Sequence, residues 1–129
     1  LVLAVGNHDR GLTGWERAPA SAATLIVAGW TIQHGDRPVE GDRALIGHHH
    51  PALRAEGVST RCFLAGPRLL VLPAFSRDAA GLDVASNARP SGWTGAGLRC
   101  LAAVDDEVLD FGPLDDLAGR LRAASGRFA

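Results

Sequence analysis

All five histidines of this 129-residue chain fall into three short clusters, and each cluster also contains glycine. The clusters read Gly-Asn-His-Asp from residue 6, His-Gly-Asp from residue 34 and Gly-His-His-His-Pro from residue 47. Neutral imidazole is the commonest metal ligand in proteins, and glycine allows the tight turns that aim such side chains. Packing alone does not explain why every histidine lies in a cluster. The pattern predicts a metal site, and a catalytic one.

Each cluster follows an apolar run that predicts a strand. These runs are 1–5, which has the pattern of a buried strand, 30–33 and 43–46. In layered α/β domains, the loops that follow adjacent strands converge beyond the strand ends, where ligands bind. The three clusters therefore have a direct route to a shared site.

The other elements point to a β-rich chain with hairpins. Hairpins are predicted for 24–28 with 30–33, for 60–64 with 68–72, and for 98–104 with 108–111. Segments 10–23 and 76–97 lack sustained periodicity and predict irregular connections, with at most a short helix around Trp15. Residues 113–124, with leucines on one face, predict the best helix. The predicted fold class is α/β, β-rich, with a C-terminal helix.

Bulk properties narrow the class of protein. A net charge of −1 gives no global basic field for nucleic acid, and no apolar run approaches the roughly 20 residues that span a bilayer. Cys62 and Cys100 lie in apolar, strand-like segments and predict free buried thiols in a reducing, cytoplasmic compartment. The chain begins within an apolar run without an initiator Met, so we expect 1–129 to be part of a single larger domain.

The order of the three clusters resembles the calcineurin-like metallophosphoesterases, and three of that superfamily's five motifs occur here in sequence. The resemblance implies the C-terminal part of an αββα sandwich that holds two divalent metal ions, with Mn the first expectation and Fe or Zn the alternatives. It implies that Asn7, His34 and His48 ligate the second metal and that His50 ligates the first. The implied activity is hydrolysis of phosphodiester bonds by a hydroxide that two metals activate.

The resemblance gives the other cluster residues different roles. His8 would lie beside the scissile phosphate, stabilising the transition state or protonating the leaving oxygen. Asp9 would orient the His8 ring. His49 alternates outward between two ligands and is predicted to face solvent or the edge of the substrate. Asp36 is favoured as a turn residue rather than a ligand.

The chain departs from the superfamily at its N-terminal end. In the family, an Asp-x-His motif and a Gly-Asp motif, whose Asp bridges both metals, precede Gly-Asn-His, and this chain has neither motif before its Gly-Asn-His. Asp36, Asp42 and Asp78 could not replace the bridging carboxylate without a different topology. We therefore expect the isolated chain to bind the first metal poorly and the intact protein to supply the missing ligands.

Segments 62–64, 70–75 and 81–84 look like the bacterial ligase-associated DNA damage response endonuclease PdeM family, although 76–80 departs from it. This likeness implies DNA as substrate, with an ATP-dependent DNA ligase and a DEXH helicase as possible partners and no membrane. Two alternatives stay open: a small-molecule or cyclic-nucleotide phosphodiesterase, and a catalytically incomplete scaffold. A nuclease should have Arg10, Arg37 and other arginines along one open face.

Several residues also have structural interpretations. Asn7 alone would fit a turn or a helix cap, but beside His8 the ligand role is favoured. The three tryptophans would be able to stack on bases, but packing in the core or at its rim is the safer interpretation. They are Trp15, Trp30 and Trp93.

Overall fold

The computed structural model of the chain describes residues 1–9, 11–12, 16–76 and 78–125. The described residues form eleven strands, a short 3-10 helix and one α-helix. The strands are β1 (Val2–Ala4), β2 (Ala20–Ala22), β3 (Thr24–Val27), β4 (Trp30–Gln33), β5 (Ala44–Ile46), β6 (Pro51–Ala55), β7 (Val58–Ala65), β8 (Leu69–Val71), β9 (Leu82–Asp83), β10 (Arg99–Val104) and β11 (Glu107–Pro113), the 3-10 helix is Ser91–Trp93, and the α-helix is α1 (Leu114–Ser125). Arg10 and the short helix predicted around Trp15 lie outside the described residues.

Most strands belong to one mixed sheet in the order β11-β10-β7-β8-β5-β4-β3. Strands β4, β5 and β8 run parallel to one another, whereas β3, β7 and β11 are antiparallel to their neighbours. The first half of β7 pairs with β6, which also pairs with β9, and β1 and β2 form a separate parallel pair. The fold is mixed α/β, mostly strands with one C-terminal helix, as the sequence predicted.

Left-handed residues close the tight turns between paired strands. Ala28 and Gly29 have φ of 50° and 77° between β3 and β4, and Glu56 and Gly57 have φ of 49° and 80° between β6 and β7. Turns with two left-handed residues match the right-handed twist of antiparallel strands. The three predicted hairpins are confirmed by the pairing of β3 with β4, β7 with β8, and β10 with β11.

The interpretation of 1–5 as a buried strand was wrong in part. The strand β1 is present, but Leu1 is 98% exposed and Val2 is 48% exposed, since β1 belongs to a two-stranded sheet outside the main core. The expectation of an irregular 10–23, with at most a short helix around Trp15, also missed β2, which contains only Ala and Ser. This strand has no strong β-former of its own and is defined by its pairing with β1.

One apolar core lies against the main sheet and under α1. Its buried members are Ile46, Leu53, Cys62, Leu64, Val71, Val84, Trp93, Leu98, Cys100, Ala102, Leu114 and Leu117. Leu114 and Leu117 bring one face of α1 onto the sheet, in agreement with the helix predicted over 113–124. Trp93 is 3% exposed, so it packs in the core rather than presenting a face to a base. No helix in the described ranges has the length and apolar character needed to cross a bilayer.

Cys62 and Cys100 are free, buried thiols on the neighbouring strands β7 and β10. The hydrogen bond with Cys100, together with burial, raises the pKa of Cys62 above the usual range for a thiol. A thiol that stays protonated is a poor nucleophile and a poor metal ligand. Cys62 therefore contributes packing rather than chemistry.

We predict that Leu64→Ala lowers the free energy of unfolding by about 2 to 5 kcal/mol, because Leu64 is fully buried where β7 meets β8 and β10. Urea denaturation followed by circular dichroism measures the change. Val58→Ala in the same strand is the matched control, because Val58 is 68% exposed and its loss should cost within about 0.5 kcal/mol. Equal costs for the two variants would contradict this description of the core.

Candidate metal centre

Two histidine loops leave the main sheet at the same edge. His34 follows β4 directly, and Gly47 and His48 follow the parallel neighbour β5. The carbonyl oxygen of His34 accepts hydrogen bonds from the backbone amides of Gly47, at 3.0 Å, and His48, at 2.8 Å. These two bonds continue the β4–β5 ladder beyond the strands and hold the two histidines side by side.

Three side-chain atoms that can ligate a metal lie close together at this edge. His34 Nε2 lies 3.0 Å from Asn7 Oδ1 and 3.1 Å from His48 Nδ1. The His34 and His48 rings meet edge to face, with centroids 5.0 Å apart. Ligand atoms that each lie about 2 Å from one ion are themselves roughly 3 Å apart. The sequence predicted this meeting of Asn7, His34 and His48, and the structure brings the three together.

The Asn7 side chain also reaches the proposed catalytic histidine. Asn7 Nδ2 lies 3.3 Å from His8 Nε2, and both side chains are exposed. Asp9 closes the loop from the other side, because its carboxylate accepts a hydrogen bond of 2.8 Å from the backbone amide of Gly6. Among the described residues, no hydrogen bond joins Asp9 to the His8 ring. The observed partner of Asp9 is thus the loop backbone, and its orienting role towards His8 stays a prediction.

Position 6 needs a glycine because there is no space for a side chain, not because of its backbone angles. A Cβ atom at Gly6 would overlap the ring of His34. Gly35, directly after His34, needs both room and freedom: its φ is 103°, and a Cβ there would lie 2.9 Å from the Cβ of Ile46. Gly6 therefore leaves room for the His34 ring, and Gly35 lets the turn after His34 lie against Ile46.

Gln33 fixes the loop on the far side of His34. Its side chain is buried, 8% exposed, and its side-chain amide donates to the carbonyl of Pro38 at 3.2 Å. Asp36 is exposed and lies in that loop, where it lines a cavity of about 230 Å³ with His34 and Arg37. This position agrees with a turn role for Asp36. The sequence analysis missed Gln33, whose polar side chain at the end of an apolar strand was the available signal.

His49 and His50 face different surroundings from His34 and His48. The His49 ring packs edge to face on Trp93, with centroids 5.2 Å apart, and lines a cavity of about 460 Å³. His49 is half-buried, and its orientation towards solvent or the edge of a substrate stays a prediction. His50 adopts a left-handed φ of 49° and lines a separate cavity of about 500 Å³.

Both of these imidazoles are held towards the neutral form. Burial lowers the pKa of His49, and the neighbouring rings of His48, His50 and His34 lower it further. Burial likewise lowers the pKa of His50, followed by the effects of His48, His34 and His8. Crowded, partly buried imidazoles disfavour charge, and only a neutral imidazole can donate a lone pair to a cation.

The donor set fits a divalent cation in chemistry but is not a complete site. Two imidazole nitrogens and one amide oxygen suit Mn, Fe or Zn. Within the described ranges, no group of three or more His, Cys, Asp or Glu side chains could hold an ion by itself. The third donor at the centre is instead the amide oxygen of Asn7. These three residues therefore fit a metal centre that needs further ligands from solvent, substrate or protein.

Comparison with known proteins supports the fold. No family model matches the chain, and no curated protein matches it. Among solved structures, the chain is similar to the nuclease MPE of Pseudomonas putida, with a TM-score of 0.64 and 23% sequence identity. The match covers 84% of this chain and 52% of the nuclease chain, so the chain spans about half the length of that neighbour. At this identity, the likeness concerns the fold.

We predict that Gly6→Ala weakens Mn²⁺ binding by roughly tenfold or more, because the new methyl group must displace the His34 ring. Isothermal titration calorimetry on the full gene product measures the affinity. Gly47→Ala is the matched control, since it adjoins His48 but a Cβ there meets nothing within 4 Å. Equal affinities for the two variants would show that the position of His34 does not govern metal binding.

Proposed function

We propose that this chain carries part of the active site of a metal-dependent phosphoesterase that cleaves phosphodiester bonds in DNA. The convergence of Asn7 Oδ1, His34 Nε2 and His48 Nδ1 at one sheet edge carries the proposal. These three residues would hold one divalent ion, with Mn the first expectation, and His50 would contribute to a second. When bound, such ions polarise a phosphate and make water a better nucleophile at neutral pH.

His8 has the position of an acid–base group beside such a centre. Its ring is exposed, so a substrate can reach it, and Asn7 links it directly to the ligand cluster. In the proposed reaction, His8 protonates the leaving oxygen or stabilises the charge that develops on the phosphate. Asp9 supports this role indirectly by holding the Gly6 to Asp9 loop closed.

DNA as the substrate is supported by the likeness to a protein described as a nuclease. It is also supported by arginines near the histidines. Arg37 lines the cavities beside both His34 and His49, and Arg54 and Arg61 line the cavity beside His50. A role in DNA repair, with a DNA ligase and a helicase as partners, stays a prediction from the family resemblance.

We expect His8→Ala to reduce kcat on bis-p-nitrophenyl phosphate by about 10²- to 10⁴-fold, while Mn²⁺ binding changes little. His48→Ala should instead weaken Mn²⁺ binding, because it removes a donor of the converging set. The assay uses the full gene product with Mn²⁺ and is repeated on single-stranded DNA and on cyclic nucleotides. Steady-state kinetics and calorimetry together separate the two roles.

The outcomes distinguish the proposed enzyme from its alternatives. Full activity in both variants would contradict the proposed mechanism. Hydrolysis of cyclic nucleotides without any cleavage of DNA would identify a small-molecule phosphodiesterase. A wild-type protein that binds Mn²⁺ but hydrolyses none of the substrates would identify a catalytically incomplete scaffold.

A further inference from the structure

Four aromatic rings form a row that runs from the candidate metal centre into the core. The rings of His34 and His48 have centroids 5.0 Å apart, and the rings of His48 and His49 follow at 5.2 Å. The last pair, His49 and Trp93, is also 5.2 Å apart. All three contacts are edge to face, one of the arrangements that aromatic pairs prefer. The row therefore joins a core residue to two of the predicted ligands.

The sheet fixes the backbone of His48 but not the rotation of its ring. The backbone amide of His48 donates to the carbonyl of His34, and the side-chain Nδ1 lies 3.1 Å from His34 Nε2. A metal-binding imidazole is commonly oriented by a hydrogen bond to its other ring nitrogen. Among the described residues, no hydrogen bond reaches Nε2 of His48. The orientation of this ring therefore depends on its packing, and the neighbour that is not itself a predicted ligand is His49.

The His49 ring is held by its aromatic neighbours. No hydrogen bond joins its nitrogens to another group in the part of the chain that the structure describes. Its ring contacts are those with His48 and Trp93, and the side chain is half-buried. An aromatic ring without nitrogens can make the same contacts. Metal ligation and proton transfer, in contrast, both need a ring nitrogen. The two kinds of role can therefore be separated by substitution.

Trp93 gives the His49 ring a fixed surface. Trp93 is buried, lies in the 3-10 helix and belongs to the apolar core. The segment that follows is tied to the first turn of α1, because the backbone amide of Gly95 donates to the carboxylate of Asp115 at 3.0 Å. A side chain in a close-packed interior cannot move without disturbing its neighbours. The position of the indole is therefore set by the core.

We propose that His49 and Trp93 are positioning residues of the metal centre. Trp93 fixes the His49 ring, and the His49 ring holds the His48 imidazole with Nδ1 beside His34 Nε2, where the ion binds. Neither His49 nor Trp93 ligates the ion or transfers a proton. This proposal rests on the proposed function, because it requires His48 to be a metal ligand.

The test compares variants that keep an aromatic ring with variants that lose it. His49→Phe keeps the ring without its nitrogens, whereas His49→Ala removes the ring. Trp93→Phe keeps an aromatic ring, whereas Trp93→Leu fills the core without one. Thr94→Ala is the matched control, since Thr94 adjoins Trp93 and is exposed. Isothermal titration calorimetry on the full gene product measures Mn²⁺ affinity, and urea denaturation in EDTA measures stability without metal.

We expect His49→Ala and Trp93→Leu to weaken Mn²⁺ binding by about tenfold or more, as is typical when a group that orients a metal ligand is lost. His49→Phe and Trp93→Phe should stay within about threefold of the wild type, because each keeps an edge-to-face contact. At saturating Mn²⁺, His49→Ala should have the wild-type KM for bis-p-nitrophenyl phosphate, since His49 does not contact the substrate. Thr94→Ala should match the wild type in every measurement.

Three results would overturn the proposal. The first is wild-type Mn²⁺ affinity in His49→Ala. The second is an equal loss of affinity in His49→Phe and His49→Ala, which would show that the centre needs a nitrogen of this ring. The third is a raised KM in His49→Ala with unchanged Mn²⁺ affinity, which would identify His49 as a substrate contact. Should Trp93→Leu fail to fold, the His49 variants decide the question, since they leave the core intact.

Failure of the proposed function would give a different pattern. A wild-type protein that binds Mn²⁺ but hydrolyses no phosphodiester would contradict that function alone, and the Mn²⁺ affinities of the variants would still decide the positioning role. Wild-type Mn²⁺ affinity in His48→Ala would show that His48 is not a ligand and would overturn both proposals.

Discussion

The carbonyl oxygen of His34 accepts hydrogen bonds from the amides of both Gly47 and His48, and the candidate site depends on this interaction. It exists because β4 and β5 are parallel, so their C-terminal ends lie at one edge of the sheet. The next parallel strand continues the arrangement, since the amide of Leu72 donates to the carbonyl of Ile46 at 2.7 Å. Each such bond contributes only about 1 kcal/mol, but together they fix two imidazoles before any ligand arrives. The geometry of the ligands is therefore a property of the sheet.

The candidate site also depends on glycines at two positions where a side chain would not fit. Gly6 leaves the space that the His34 ring fills, and a Cβ on Gly81 would collide with the backbone carbonyl of His50. Gly81 also has a left-handed φ of 69°. Arg54 donates a hydrogen bond to the carbonyl oxygen of Gly81, and both residues line the cavity beside His50. The backbone around His50 therefore also depends on a glycine at position 81.

Local chemistry explains which features could be predicted from the sequence. The hairpins were predictable because turn residues such as Gly29 and alternating apolar residues act over short distances. The approach of His34 to His48 was expected from the family resemblance, and also because both residues follow apolar runs that predict strands, whose loops converge in layered α/β domains. Strand β6 was missed although it forms a local hairpin with β7 through the turn at Glu56 and Gly57. Strands β2 and β9 were not predictable, because each is short and is defined by pairing with a partner elsewhere in the chain. Arg54 and Arg61 were missed for the same reason, as their carbonyl partners lie 14 to 27 residues away.

The central claim is that Asn7, His34 and His48 hold one divalent cation. An anomalous difference map, from crystals of the full gene product grown with Mn²⁺ and measured near the Mn absorption edge, tests it most directly. The account predicts a peak about 2 Å from Asn7 Oδ1, His34 Nε2 and His48 Nδ1 together. A Mn²⁺ peak bound elsewhere, with these three atoms still in contact with one another and with no ion, would contradict it.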